Sequence, residues 1–276
     1  MAILNCNIPT SILERLQEIG ARDTIDISHL VTMALSQFLG EPIHTLFQVS
    51  TSGALVAGRY EGIISAETIL RHGDFGLGTF ANLDGEMVVL DGSVYQVKGT
   101  GEVLEAAPDA AAPFAIVTRF APQVEIGIDA VATFSDLERH CDALRQSGNI
   151  FYAFRLDGHF DYVRTRVVNP PQDGAGLLDA AKAQSEFRFT DVDGTLVGLW
   201  SPGFSSAFSV AGYHFHFISN DRQHGGHLLD CRAGPLELKL EALTDFHLAL
   251  PETESFLKAD LSKNVADELA YAERAH

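Results

Sequence analysis

Residues 212–217, Gly212-Tyr213-His214-Phe215-His216-Phe217, followed by Gly225-Gly226-His227, read as a strand, a tight turn and a returning strand. In a strand, side chains two residues apart share a face, so His214 and His216 project side by side while Phe215 and Phe217 point the other way, into a core. The intervening Ser219-Asn220-Asp221-Arg222 and the glycine pair supply the turn, which can return His227 beside the first two histidines. Three imidazoles converging in this way leave one or more coordination positions open. That is the arrangement of a catalytic rather than a structural site for Zn²⁺ or another divalent metal. His224 competes with His227 as the third ligand, and the Gly-Gly step favours close approach at His227.

Around this hairpin the pattern is one of short β runs punctuated by glycine. On the C-terminal side of Pro170-Pro171-Gln172-Asp173-Gly174, the best linker signal in the chain, a helix over Ala175–Gln184 is expected. Strands are expected over Phe187–Val192, Thr195–Ser201, Ser209–Ile218, His227–Asp230, Leu236–Leu240 and Thr244–Leu250, with a terminal helix over Asn264–Arg274. N-terminal to the linker, strands are expected over Leu46–Ser50, Ala54–Tyr60, Met87–Leu90, Val94–Val97, Phe114–Arg119, Val124–Ile128, Asn149–Leu156 and Phe160–Val168. Asp91-Gly92-Ser93 is a hairpin signal, and Ser65–His72 and Ser135–Gln146 read as helices. The fold class is α/β in the α+β sense. Two sheet-containing domains are expected: a mixed sheet over 41–174 and a largely antiparallel, barrel-like metal-binding sheet over 175–276.

Residues 1–40 read as a separate extension. Ile3-Leu4-Asn5-Cys6-Asn7-Ile8 is a short strand ended by Pro9, and Ser11-Ile12-Leu13-Glu14 is a capping box for a helix reaching Gly20. Asp26 caps a second helix that stops at Gly40. Strand, helix and helix together resemble the ribbon-helix-helix unit, which pairs its strands in a dimer and binds DNA through basic strand residues. This strand has no Lys or Arg, so a dimerising or packed extension fits better than a DNA-binding one.

The chain has 276 residues with 19 Lys+Arg against 37 Asp+Glu, a formal net charge of -18. Such a surface repels phosphate backbones and anionic lipid, which argues against nucleic-acid and membrane-surface partners; an anionic substrate must be met by local positive charge. Cys6, Cys141 and Cys231 form no CxxC pair and read as free thiols of a reducing compartment. With neither a signal peptide nor an apolar run long enough to span a bilayer, a cytoplasmic location is expected.

Other residues are ambiguous when read alone. Arg164 and Arg166 share a strand face and either hold a carboxylate or form a solvated face. Glu86 reads as a surface charge before it reads as a general acid, and Glu273 reads as a solvated helix residue. Gly73-Asp74-Phe75-Gly76-Leu77-Gly78-Thr79 is glycine-rich, but no lysine follows it and it does not match a phosphate loop.

Taken in order, Gly73–Thr79, Leu83-Asp84-Gly85-Glu86, Arg164-Thr165-Arg166, Gly194-Thr195-Leu196-Val197-Gly198 and Gly212–Phe217 with Gly225-Gly226-His227 resemble the α-acetolactate decarboxylase family. The resemblance runs from about Leu46 to the C-terminus. It implies a zinc-dependent carboxy-lyase that converts (S)-2-acetolactate to (R)-acetoin and CO₂, with the metal stabilising an enediolate. It also implies a homodimer. Carried over residue by residue, it implies His214, His216 and His227 as metal ligands, Arg166 facing the substrate carboxylate, and Glu86 near the reacting carbon. Thr79 falls on a threonine of the pocket wall, and Glu273 on a C-terminal glutamate reaching toward the metal. Glu86 is the preferred proton donor and Glu273 the alternative, since burial raises the pKa of a carboxyl group. Two rival readings remain: a zinc hydrolase using the same three histidines, and a non-catalytic metabolite-sensing regulator.

Overall fold

The computed structural model describes residues 5–23, 26–40, 44–170 and 184–262. The chain divides into two compact units, Met1–Ile43 and His44–His276. The first holds helices α1 (Thr10–Asp23) and α2 (Ile27–Leu39). Asp26 caps α2 as expected, its side chain accepting from the Ser28 N–H at 2.7 Å, and Gly40 closes the helix in the left-handed region at φ 69°. Two expectations fail here. Of the expected strand Ile3–Ile8, Ile3 and Leu4 lie outside the described residues and Asn5–Ile8 form no strand, with no ladder partner among the described residues. Ser11 is not a cap: α1 begins at Thr10, and the Pro9 carbonyl accepts from the Ile12 and Leu13 N–H groups.

The second unit is built from two large sheets and a two-stranded antiparallel pair, Ile64–Ser65 with Ala111–Ala112. Its elements run β1 (Thr45–Val49), α3 (Ser52–Val56), β2 (Ile64–Ser65), α4 (Ala66–His72), β3 (Phe75–Thr79), β4 (Glu86–Leu90), β5 (Ser93–Val97), β6 (Val103–Glu105), β7 (Ala111–Ala112) and β8 (Phe114–Thr118). They continue as β9 (Val124–Ile128), α5 (Phe134–Leu144), β10 (Phe151–Val167), β11 (Ser185–Ser201), β12 (Gly212–Ser219), β13 (Gly225–Leu243), β14 (Asp245–Ala249) and the short α6 (Glu254–Leu257). The first sheet is mixed, in the order β14-β1-β8-β3-β4-β5-β6, with β14 parallel to β1. The second is antiparallel, in the order β10-β11-β12-β13-β9, and β13 also pairs with β10, so the pairing of four strands returns on itself.

Strand alternation divides the interior into layers. Phe75, Leu77, Val88, Leu90 and Ile116 of the first sheet meet Phe151, Ala153, Val197, Leu199 and Ile218 of the second. The opposite face of the second sheet gathers Phe154, Leu156, Leu196, Phe215, Phe217 and Leu238 under Leu137 and Cys141 of α5. The outer face of the first sheet packs Met87, Val89 and Val117 against Ala66 and Ile69 of α4.

Several local expectations are corrected. Ala54–Tyr60 is not a strand: Thr51 accepts from the Ala54 N–H at 3.1 Å and starts α3 instead. Phe151–Val167 is one continuous strand, as are Ser185–Ser201 and Gly225–Leu243; in the β10–β13 ladder, irregularities between Gly158 and Phe160, between Phe160 and Tyr162, and between Arg164 and Thr165 are absorbed without breaking the pairing. Sheet membership also crosses the linker: β9 and β10 belong to the second sheet, whereas β14 closes the edge of the first. Within the glycine-rich stretch 73–79, which does not match a phosphate loop, Phe75–Thr79 form strand β3; a Cβ on Gly78 would lie 2.5 Å from the Phe114 carbonyl of β8. The expected helices over 175–184 and 264–274 lie outside the described residues, apart from Gln184. No helix among the described residues is long and apolar enough to cross a membrane.

The tightest cross-strand fit is at Gly198 of β11, paired with Phe215 of β12. A Cβ there would sit 2.0 Å from the Phe215 ring. Gly198→Ala is therefore expected to lower unfolding free energy by about 1–3 kcal/mol, the usual cost of overpacking. In a denaturant double-mutant cycle, Phe215→Leu should reduce that penalty; strictly additive effects would contradict the proposed clash.

Candidate metal centre

Every described residue of the candidate site lies in the layer between the two sheets. On β12, His214 and His216 share the face of Ile218, which packs toward the first sheet, while Phe215 and Phe217 occupy the other side. β13 brings His227 directly opposite His216, as the Gly-Gly step suggested. Both glycines are required by close approach: a Cβ on Gly226 would meet the Arg166 carbonyl at 2.8 Å, and one on Gly225 would meet Val97 at 2.8 Å. The turn between the strands is organised by Ser219, whose hydroxyl donates to Asp221 at 2.6 Å and accepts from the His224 N–H at 3.0 Å. His224 itself stacks on Phe189, 4.4 Å between ring centroids, which removes it as a competing ligand.

Among the described residues the three imidazoles form a group that could hold a metal ion, with their candidate ligand nitrogens all within 4.8 Å of one another. His214 Nε2 lies 3.2 Å from His216 Nε2 and 3.1 Å from His227 Nδ1. Tetrahedral Zn²⁺ with nitrogen at about 2.0–2.1 Å calls for nitrogens about 3.3 Å apart, so the donor set fits such an ion. The His216 tautomer is fixed by its surroundings. Its Nδ1 lies 2.7 Å from the Met87 carbonyl, which only accepts, so Nδ1 carries the proton and Nε2 presents its lone pair. Desolvation, helped by the nearby Arg166 guanidinium, pushes His214 down to about 3, which keeps that imidazole neutral at physiological pH.

Two charged side chains border the imidazoles. Glu86 opens β4, on the face shared with Val88 and Leu90, and is 5% exposed. Its Oε2 lies 3.6 Å from His216 Nε2, its Oε1 lies 3.7 Å from Arg166 Nη1, and Oε1 also accepts from the Val168 N–H at 3.2 Å. Arg166, 3% exposed, sits opposite His227 across the β10–β13 ladder. Arg164 points to a different partner, 3.9 Å from Glu186, and is more exposed. Thr79 ends β3 opposite Glu86 and is buried, its hydroxyl donating to the Gly85 carbonyl at 2.8 Å. Glu273 lies outside the described residues.

The structure thus brings His214, His216, His227, Glu86 and Arg166 together, with Thr79 beside Glu86. Sequence reasoning missed the Met87 carbonyl and the Val168 N–H. Both are backbone groups, and no side-chain identity signals them.

With this geometry in view, comparisons with known proteins agree with one another. The family model described as Alpha-acetolactate decarboxylase matches residues 46–263. The chain is 39% identical over 231 residues to the alpha-acetolactate decarboxylase of Methanosarcina mazei, covering 83% of this chain and 80% of that one. It is 36% identical over 222 residues to that of Bacillus subtilis, covering 80% and 87%. The crystal structure of alpha-acetolactate decarboxylase from Bacillus subtilis strain 168 superposes with a TM-score of 0.81 at 34% identity, covering 84% of this chain and all of that one.

Replacing His216 removes both a ligand nitrogen and the side chain that anchors to Met87. His216→Ala is expected to lower the stoichiometry of bound Zn²⁺ measured by mass spectrometry after dialysis. Full occupancy in that variant would remove His216 from the metal centre.

Proposed function

The chain belongs to the alpha-acetolactate decarboxylase family, and from its site we propose a metal-dependent conversion of (S)-2-acetolactate to (R)-acetoin and CO₂. As a member it is a carboxy-lyase acting on a small 2-hydroxy-3-keto acid. The observation that carries the finer reading is the juxtaposition of three imidazole nitrogens with one buried arginine and one buried glutamate.

His214, His216 and His227 would hold the metal, and Zn²⁺ is an ion that suits a three-imidazole site with an open position. A divalent ion bound there supplies Lewis-acid stabilisation of the negative charge that develops on the substrate oxygens. Arg166 offers its planar fork to the substrate carboxylate and orients the bond to be broken. As that bond breaks, its electron pair moves onto the adjacent ketone, giving an enediolate, and the carboxylate leaves as neutral CO₂, which ends its ion pair with Arg166. Glu86 then delivers a proton to one face of the planar carbon centre, which sets the product's handedness. Its placement between Arg166 and His216 supports this role. Glu273, the alternative donor, rests on the family resemblance. Thr79 shapes the pocket wall beside Glu86.

We further propose that the protein works as a homodimer in the cytoplasm, without nucleic-acid or membrane partners, in keeping with its formal charge of -18.

Incubating Zn²⁺-loaded protein with racemic 2-acetolactate should release (R)-acetoin well above the uncatalysed rate while one enantiomer is consumed first. No acetoin above background would refute the reading. Arg166→Lys should retain the metal but lose turnover at least about tenfold, corresponding to about 1.4 kcal/mol of lost orientation. Arg164→Lys should have a smaller effect, since its nearest acid is Glu186 rather than Glu86. The reverse ordering would move the carboxylate partner to Arg164. Glu86→Gln should keep metal content and lose turnover, and any residual acetoin should be less enantiomerically pure; unchanged chirality at normal rate would assign proton delivery elsewhere.

A further inference from the structure

Helix α2, Ile27–Leu39, contains no Asp, Glu, Lys or Arg in 13 residues, in a chain with 37 acidic groups. Leu35, Phe38 and Leu39 lie at i, i+3 and i+4 spacing and so share one face. All three are exposed, Phe38 at 86%. Ile12 and Leu13 of α1 and Ile8 before it are exposed as well. These six are more than half of the eleven large hydrophobic residues exposed among the described residues, although the unit spans only Met1–Ile43.

Within this unit Gly20 is the one described residue that is fully buried. Helices of 14 and 13 residues are marginal in isolation, and a unit of this size rarely holds a core by itself. The capping of α2 by Asp26 and Gly40 defines the helix ends but buries no apolar surface. The unit therefore needs an apolar partner to be stable.

We infer that the apolar face of α1 and α2, centred on Phe38, is a self-association surface that docks against the same face of a second copy of this chain. Charge selects this occupant. Two copies of a chain at -18 repel over most of their surfaces, whereas α2 brings no charge to the contact. A strongly charged protein partner finds no complementary group on α2. An anionic bilayer is disfavoured because membrane-surface helices carry Lys or Arg on their polar face, and α2 has none. The exposed fractions of the six side chains amount to on the order of 500 Å² per copy, or about 1,000 Å² for a pair, the lower limit for a specific interface. A two-fold pairing places each Phe38 against its counterpart, the central aromatic anchor of an isologous contact. This surface is independent of the reaction, and no residue of the metal centre belongs to it.

The full-length protein carries its own probe site. Cys6 is exposed, while Cys141 and Cys231 are buried, and burial pushes the Cys231 thiol up to about 12 and Cys141 higher still. A nitroxide placed by thiol chemistry therefore goes to Cys6. Double electron–electron resonance on the labelled full chain should give a defined intermolecular distance below about 45 Å, since the two helices are each only about 20 Å long. Dilution with excess unlabelled chain should lower the dipolar modulation. Leu35→Asp/Phe38→Asp, which alters only exposed positions, should abolish or broaden that distance while acetolactate turnover per chain stays unchanged. An absent dipolar signal in the unsubstituted chain, or an identical distance distribution in the double variant, would overturn the inference. Either outcome is read without reference to the decarboxylation.

Discussion

The ring of Phe215 lies against Gly198 and that of Phe217 against Gly194, and the placement of the histidines depends on this fit. β12 must present apolar groups to one layer and metal ligands to the other, and a slip of one residue would exchange them. Glycines on β11 leave space for the rings on one face only, so the register that buries Phe215 and Phe217 is the register that directs His214 and His216 toward the first sheet. The returning pairing of β10, β11, β12 and β13 then removes the freedom to slide, since β12 is bonded on both sides. A packing preference of two aromatic rings thereby fixes the direction of two imidazoles.

The polar layer so created is costly in isolation. A buried guanidinium or carboxylate without partners costs several kcal/mol, and burial among other charges is tolerable only when the groups compensate one another. Glu86 lies between Arg166 and His216, and the Val168 N–H donates to the carboxyl oxygen that faces Arg166. Arg166 in turn discourages protonation of His214. The cluster is therefore internally consistent: a carboxyl group beside a positive guanidinium, and the His214 imidazole kept neutral. It also meets the difficulty raised by a net charge of -18. Exposed charges are screened beyond about 8 Å at physiological ionic strength, whereas a buried guanidinium acts at contact distance in a less polarisable medium.

The histidine set was legible in the sequence because two local rules coincide there. Alternation with period two places His214 beside His216, and the glycine pair licenses the close strand approach at His227. Glu86 and Arg166 were ambiguous for an equally physical reason: neither residue carries a local sign of burial. Each becomes a site residue only because two sheets pack face to face, which no short window encodes. The same non-locality hid the sheet membership of β9, β10 and β14, and glycines within β10, β11 and β13 made long strands read as pairs of short ones. The resemblance of ordered motifs recovered Glu86 and Arg166 where residue-level reading left them open.

In the reaction we propose, a product of one handedness demands a proton donor fixed relative to the substrate, and the two-sheet architecture bears on this. The three candidate metal-binding histidines and Arg166 belong to the second sheet, whereas Glu86, the donor we propose, belongs to the first. Their separation is thus set by the spacing of the sheets and not by any single loop. Gly225 of the second sheet faces Val97 of the first, and Val97 pairs with Glu86 across β4 and β5. A side chain at residue 225 would press first on the strand that supports the donor. The glycine pair therefore does two things: it lets His227 approach the other imidazoles, and it leaves room for the strand of the opposite sheet that pairs with the one carrying Glu86.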